Sequence, residues 1–264
     1  MPDFVEKKLL AQKLRWDSVK LISRAKAAHI GSCLSCADMV ASIYCDFRLG
    51  LSDGIDHFVL SKGHAAPVLY SALNWLGKLS NEELDQFCLS GSLLEEHPSP
   101  MVASINYASG SLGHGLSLGC GVALDKKIKG LSGKTFVLMS DGECNEGSVW
   151  EAALFASAQG LGNFVGLIDY NKWQATGRSD EVLALGPLVD KWVAFGWSVS
   201  EIDGHDFDQL ARAINGVSPD RPTMIVCHTV KGKGVDFMED DNNWHYRVPD
   251  AKELSSAKRQ LGID

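Results

Sequence analysis

The chain has 264 residues, 45% of them hydrophobic, and a formal net charge of −8. That much apolar material suits one large α/β core, and no stretch reads as a linker, so a single domain over 1–264 is expected. The acidic balance, without a dense Lys/Arg cluster, excludes the electrostatic footprint of a nucleic-acid or anionic-membrane binder.

No basic stretch followed by an apolar one opens the chain, and no apolar run approaches bilayer length, so a cytoplasmic protein is expected. Seven cysteines, an odd number scattered along the chain, read as reduced thiols rather than a disulfide framework.

Residues 4–28 carry Leu9, Leu10, Leu14, Val19, Leu21, Ile22, Ala25 and Ala28 among charges, which predicts an amphipathic helix ending near Gly31. A second helix is expected from Ser35, acting as its cap, with Asp38 in the first turn where the dipole favours an acid. Cys33 and Cys36 form a C-x-x-C, a spacing that suits a redox pair or half a zinc site. No second pair completes a metal set, and they are read as small residues at the loop-to-helix junction.

His57–Leu60 reads as a strand stopping at Ser61-Lys-Gly-His64, with Ala65 to Leu76 returning as a helix. A Gly-rich turn, 108–115, precedes an apolar helix running to Ile128. Thr135–Ser140 is a strand, Glu146–Gln159 a helix and Phe164–Asp169 a strand. Trp197–Ile202, a helix near Phe207–Ile214, and Thr223–His228 complete the series. Strands alternating with helices predict an α/β fold, a doubly wound and mainly parallel sheet with helices on both faces.

Ligands of such sheets bind outside the carboxyl ends of the strands. Asp141 follows one strand directly, Gly142 lets the backbone approach a phosphate, and Asn171 follows the next strand, 30 positions on. An Asp-Gly after a strand is also an ordinary turn. Paired with Asn171 across a helix, it suits Mg²⁺: a carboxylate, an amide, a backbone carbonyl and two diphosphate oxygens fill an octahedral shell.

The thiamin diphosphate enzymes share a G-D-G, about thirty residues, N signature, which Ser140-Asp-Gly142 and Asn171 resemble with Ser for the first Gly. Further elements match the transketolases in order along nearly the whole chain. Ala28-His-Ile-Gly-Ser-Cys-Leu-Ser-Cys-Ala-Asp38 resembles G-H-x-G-x-x-L-S-x-x-D, and Leu60-Ser-Lys-Gly-His64 resembles L-S-x-G-H. Glu96-His97-Pro98 stands for G-H-P, Ser109-Gly-Ser-Leu-Gly-His-Gly115 for T-G-P-L-G-Q-G, and His228-Thr-Val-Lys-Gly-Lys-Gly234 with Trp244-His245 closes the pattern. The chain thus resembles the N-terminal subunit of a split transketolase.

The resemblance implies thiamin diphosphate and Mg as cofactors. It places Asp141, Asn171 and the backbone carbonyl of Trp173 on the metal, with Gly110, Ser111, Leu112 and Gly142 against the cofactor. It implies that His29, His97 and His245 face the sugar, and that His64 and His245 reach the diphosphate. Imidazoles suit both tasks, since they donate to oxygens and exchange protons near neutrality. Glu146 is a helix-start acid in the plain reading and, by resemblance, a subunit-interface carboxylate linking paired active sites near the cofactor. Three positions depart from the pattern: His114 for Gln, Ser111 for Pro, and Tyr246 where relatives have Gly.

The implied activity is transfer of a two-carbon ketol unit from a ketose phosphate to an aldose phosphate. The implied partner is a C-terminal transketolase subunit carrying the pyrimidine-binding domain, in an α2β2 assembly without which this chain is silent. Competing readings are the α subunit of a 2-oxo acid dehydrogenase, a deoxyxylulose phosphate synthase, and a non-catalytic nucleotide-binding subunit. The last lacks support from any G-x-G-x-x-G after a strand.

Overall fold

A computed structural model describes residues 4–47 and 56–263. In chain order the elements open with α1 (Phe4–Ala25), α2 (Ile30–Phe47), β1 (His57–Leu60), α3 (Ala66–Trp75) and α4 (Asn81–Leu84). Next come α5 (His114–Lys129), β2 (Thr135–Ser140), α6 (Gly147–Ala158), β3 (Phe164–Tyr170), α7 (Ser179–Leu183) and α8 (Leu188–Ala194). The chain closes with β4 (Ser198–Asp203), α9 (Phe207–Asn215), β5 (Thr223–His228) and α10 (Ala251–Gln260). They fall into two compact units, one of residues 1–46, 63–110 and 230–264, the other of 47–62 and 111–229.

The second unit holds the whole sheet, five parallel strands in the order β1-β2-β3-β5-β4. All six residues of β2 and the first six of β3 are buried, so both faces of the sheet centre are covered, as continuous apolar runs require. The parallel register brings Leu60 level with Leu138, Ser140 with Asp169, and Tyr170 with His228. The residues that follow these strands therefore emerge at one edge.

Helix α5 lies against β1, β2 and β3. Gly119 is what allows the close approach, because a Cβ there would come within 2.7 Å of the Phe164 ring. Gly130, left-handed at φ 64°, ends the helix. The expected α/β class with a parallel sheet is the fold observed.

The first unit is helical among its described residues. In α1, Leu10, Leu14 and Leu21 share one buried stripe, and the helix packs on α3 and α10. Helix α2 starts at Ile30, five residues before the expected Ser35, because the His29 carbonyl accepts the first helical bonds from Ser32 and Cys33. Ser35 is therefore interior and buried, its hydroxyl turned back to the Ser32 carbonyl. Cys33 and Cys36 likewise lie inside the helix rather than at a junction.

Helix α2 also differs from the expectation that no apolar run is long enough to span a bilayer. By length and composition it is, yet it is buried within the protein. Its Asp38 is not a first-turn acid. It receives a bidentate pair of bonds from Arg15 of α1, Nη1 at 2.9 Å and Nη2 at 2.5 Å, while Arg15 Nε reaches the Leu34 carbonyl at 3.2 Å.

Both Arg15 and Asp38 are buried, so removing one strands the other's charge away from water. Asp38→Ala is expected to lower the unfolding free energy by about 3 kcal/mol, the low end for a broken buried pair. Urea denaturation of the two proteins measures this directly.

Candidate active site

At the carboxyl ends of β1, β2 and β3, the second unit gathers four fully buried ionisable side chains: Lys62, Asp141, Glu143 and Asp169. Lys62 forms an ion pair with Asp169. Asp169 also accepts the Thr229 hydroxyl and, at 3.1 Å, the Asn171 side-chain amide. Asp141 accepts three bonds, from its neighbour Gly142 N–H (2.9 Å), Lys172 N–H (2.9 Å) and the Ser179 hydroxyl (2.7 Å).

Three carboxylates thus face one ammonium. Burial pushes the Asp141 carboxyl up to about 6, opposed mainly by the Ser179 hydrogen bond and reinforced by the nearby Asp169 charge. Burial raises Glu143 as well. A divalent cation fits such a donor set, since it would restore the missing positive charge.

Asn171 is buried, its Oδ1 accepting the Trp173 N–H at 3.1 Å. Beyond it the chain doubles back: Trp173 bridges Arg178, whose guanidinium lies 3.8 Å from the indole centroid, and Gln174 N–H bonds the Gly177 carbonyl. This turn lays the Gln174 side chain on Gly142, leaving no room for a Cβ there. The Gln174 Nε2 is buried without a hydrogen-bond partner. A buried donor beside a bare glycine suits an oxyanion such as a diphosphate.

The first unit brings together His29, His64, His97 and His245, half of the chain's eight histidines, from four separate segments. His29 is the hub, with ring centroids 4.8 Å from His245, 5.1 Å from His64 and 6.5 Å from His97. His29 holds a left-handed backbone, φ 73°, anchored by its N–H on the His245 carbonyl at 2.7 Å. Burial holds the His29 imidazole below its ordinary range, with Glu96 opposing and the His97 and Lys231 charges reinforcing.

His245 is buried and its Nδ1 lies 3.0 Å from the buried Lys231 ammonium, which also donates to Asn242 at 2.8 Å. An ammonium only donates, so Nδ1 is the acceptor and the ring proton sits on Nε2. Gly31 makes room for the Lys231 stem, whose Cγ would lie 2.9 Å from a Cβ at that position.

Gly110, at φ 138°, sits under the His97 ring. In the second unit Ser111 is exposed and Leu112 half-buried. Glu146 is the exposed N-cap of α6, its Cβ resting on Gly113. The cysteines are free thiols, and burial pushes Cys88 up to about 11 and Cys120 up to about 12.

Sequence reading pointed to every residue of the two groups except their buried supports, Lys62, Asp169, Glu143 and Ser179. It included Lys231 within a motif but not its bond to His245.

Residues 6–264 match the family model described as transketolase, thiamine diphosphate binding domain. The chain belongs to this family.

It is 38% identical over 260 residues to one chain of the two-chain apulose-4-phosphate transketolase of Phocaeicola vulgatus, covering 96% of this chain and 92% of that one. It is 37% identical to the 6-deoxy-6-sulfo-D-fructose transketolase subunit SqwG of a Clostridium species, covering 87% and 86%. The crystal structure of Campylobacter jejuni transketolase superposes with a TM-score of 0.91 at 26% identity, covering 99% of this chain but only 43% of that one. Membership in the transketolase family sets aside the dehydrogenase and nucleotide-binding readings.

The Lys231 contact makes a spectroscopic prediction for this transketolase-family chain. Long-range ¹⁵N–¹H correlation at pH 7 is expected to show His245 with its proton on Nε2 and His29 neutral, and His29 is expected to protonate only below its ordinary value of 6.5. In Lys231→Met the His245 preference for the Nε2 tautomer should weaken. A charged His29 at pH 7 would contradict the site as described.

Proposed function

We propose that this chain is the N-terminal, cofactor-binding subunit of a two-chain transketolase. The enzyme moves a two-carbon ketol unit from a ketose to an aldose. The observation that carries the reading is the end-to-end match to one subunit of the apulose-4-phosphate enzyme, covering 92% of that subunit, against less than half of a single-chain transketolase.

In this reading Asp141 and Asn171 hold Mg²⁺ through their side chains and Trp173 through its carbonyl. Gly110, Ser111, Leu112, Gly142, His64 and His245 hold thiamin diphosphate. The buried excess of carboxylate over ammonium supports the cation, and the unpartnered Gln174 Nε2 supports the diphosphate. When bound, the cofactor supplies the thiazolium carbon that carries the two-carbon unit.

The chain's own residues bind, orient and move protons. His245, with Nδ1 engaged by Lys231, presents a donating Nε2–H to a substrate oxygen. His29, kept neutral by burial, is able to accept a proton from a sugar hydroxyl, and His97 adds a further ligand to the polyol. Two relatives are named for ketoses bearing a terminal phosphate or sulfonate, so we assign the substrate to ketoses with an anionic far end.

The partner is a C-terminal subunit carrying the pyrimidine-binding domain, in an α2β2 enzyme located in the cytoplasm. Helix α6 supports a partner on this side. It is apolar on its outward face as well as its buried one, with Leu154 58% and Phe155 42% exposed. Glu146, exposed at the start of α6, is assigned to that contact.

Reconstitution tests the proposal. The chain alone should give no glycolaldehyde transfer. With its partner, thiamin diphosphate and Mg²⁺ it should turn over, and chelation of the metal should abolish the activity. Asp141→Ala should weaken Mg²⁺-dependent thiamin diphosphate binding by at least about tenfold, the loss of one charged ligand. Full turnover by the isolated chain, or undiminished binding by Asp141→Ala, would refute it.

A further inference from the structure

Glu143 is a carboxylate with no exposed surface whose hydrogen-bond partners among the described residues are all neutral. Its Oε1 accepts the Ser61 hydroxyl and, at 2.7 Å, the Gly113 N–H, while its Oε2 accepts the Ser140 N–H at 3.3 Å. The nearby ammonium of Lys62 is paired with Asp169 instead. A buried charge held only by neutral donors is expensive unless the surroundings are arranged for it. Here they are.

Gly113 is the N-cap residue of α5, in a left-handed conformation at φ 85°, and it offers no side chain to cap the helix. Glu143 comes from the loop after β2 and places its carboxylate at that positive end. Ser61, from the loop after β1, passes the link on, because its Oγ accepts the Gly115 N–H at 3.1 Å while its hydroxyl donates to Glu143. One acid therefore ties together the loops after β1 and β2 and the glycine-rich turn before α5. It also occupies the helix end that in many α/β proteins receives a phosphate.

We infer that Glu143 is a positioning residue for the cofactor. It fills the start of α5 with the protein's own carboxylate and, through Ser61 and Gly113, sets the turn so that Ser111 and Leu112 meet thiamin diphosphate. The diphosphate is thereby left to the Asp141–Gly142 loop rather than to α5. The inference rests on the proposed function, since Ser111 and Leu112 are cofactor contacts only in that reading.

Substitutions separate geometry from charge. Glu143→Leu keeps the bulk but strands the Ser61 hydroxyl and the Gly113 and Ser140 amides. Glu143→Gln can keep Oε1 with its two bonds. Ser61→Ala cuts only the branch to Gly115. In the full chain assembled with its partner, thiamin diphosphate affinity at saturating Mg²⁺ would be measured by tryptophan fluorescence, and amide hydrogen exchange at Gly113 and Gly115 by NMR.

Expected is a graded series. Glu143→Leu should weaken binding by roughly tenfold or more and Ser61→Ala by roughly threefold to tenfold, each with faster exchange at Gly115, whereas Glu143→Gln should stay within about threefold of wild type. Binding within about twofold of wild type in Ser61→Ala, or in a folded Glu143→Leu, would overturn the inference, since a purely structural acid would move stability and leave affinity alone. So would Glu143→Gln behaving as badly as Glu143→Leu.

If Glu143→Leu does not fold, Ser61→Ala decides. Wild-type protein that takes up no thiamin diphosphate, or Asp141→Ala that binds normally, would instead bring down the proposed function itself.

Discussion

The structure of the second unit turns on a charge imbalance that water cannot relieve. Asp141, Glu143 and Asp169 are all fully buried where β2 and β3 end, and among the described residues Lys62 is the one buried ammonium beside them. Each carboxylate is accommodated differently. Asp169 has the ion pair, Glu143 has a helix end and neutral donors, and Asp141 has two amides and a hydroxyl and is pushed toward neutral pH. The carboxylate least compensated by charge is the one the family pattern places on the metal, as a site awaiting a dication requires.

The first unit solves the opposite problem. Four imidazoles packed within a few ångströms would repel one another if protonated, so the group is consistent only with mostly neutral rings. Burial of His29 and the Lys231 bond to His245 both act in that direction. Neutral imidazoles are amphoteric hydrogen-bonding groups, which is what a polyhydroxylated substrate calls for. The tautomer of His245 is set from behind by Lys231 rather than by anything the substrate must supply.

Much of this was legible in the sequence, for a physical reason. Strands β2, β3 and β5 are unbroken apolar runs ending at polar residues, so their limits fell within a residue of those expected. Asp141, Asn171 and the four histidines announced themselves through residue type and spacing. What escaped was everything fixed by a distant partner. Asp38 resembled a helix-start acid because nothing local signals Arg15, 23 positions away. The start of α2 was misplaced because its first acceptor is the carbonyl of His29, held left-handed by a bond to His245. Glu143 stood in plain view between two residues that were noticed, but its partner Ser61 lies 82 positions upstream.

Gly119 extends this dependence beyond the site. It lies one and a half turns into α5 from His114, where the missing side chain lets the helix sink onto Val137 and Phe164. A helix is stiff over such a length, so the depth at which its middle rests dictates how high its first residues ride. The spacing between a glycine and a phenylalanine ring, neither of which touches a ligand, thus acts as a shim under the turn at Gly113. Natural variation at position 119 should be read as a change of alignment rather than as a change in the core.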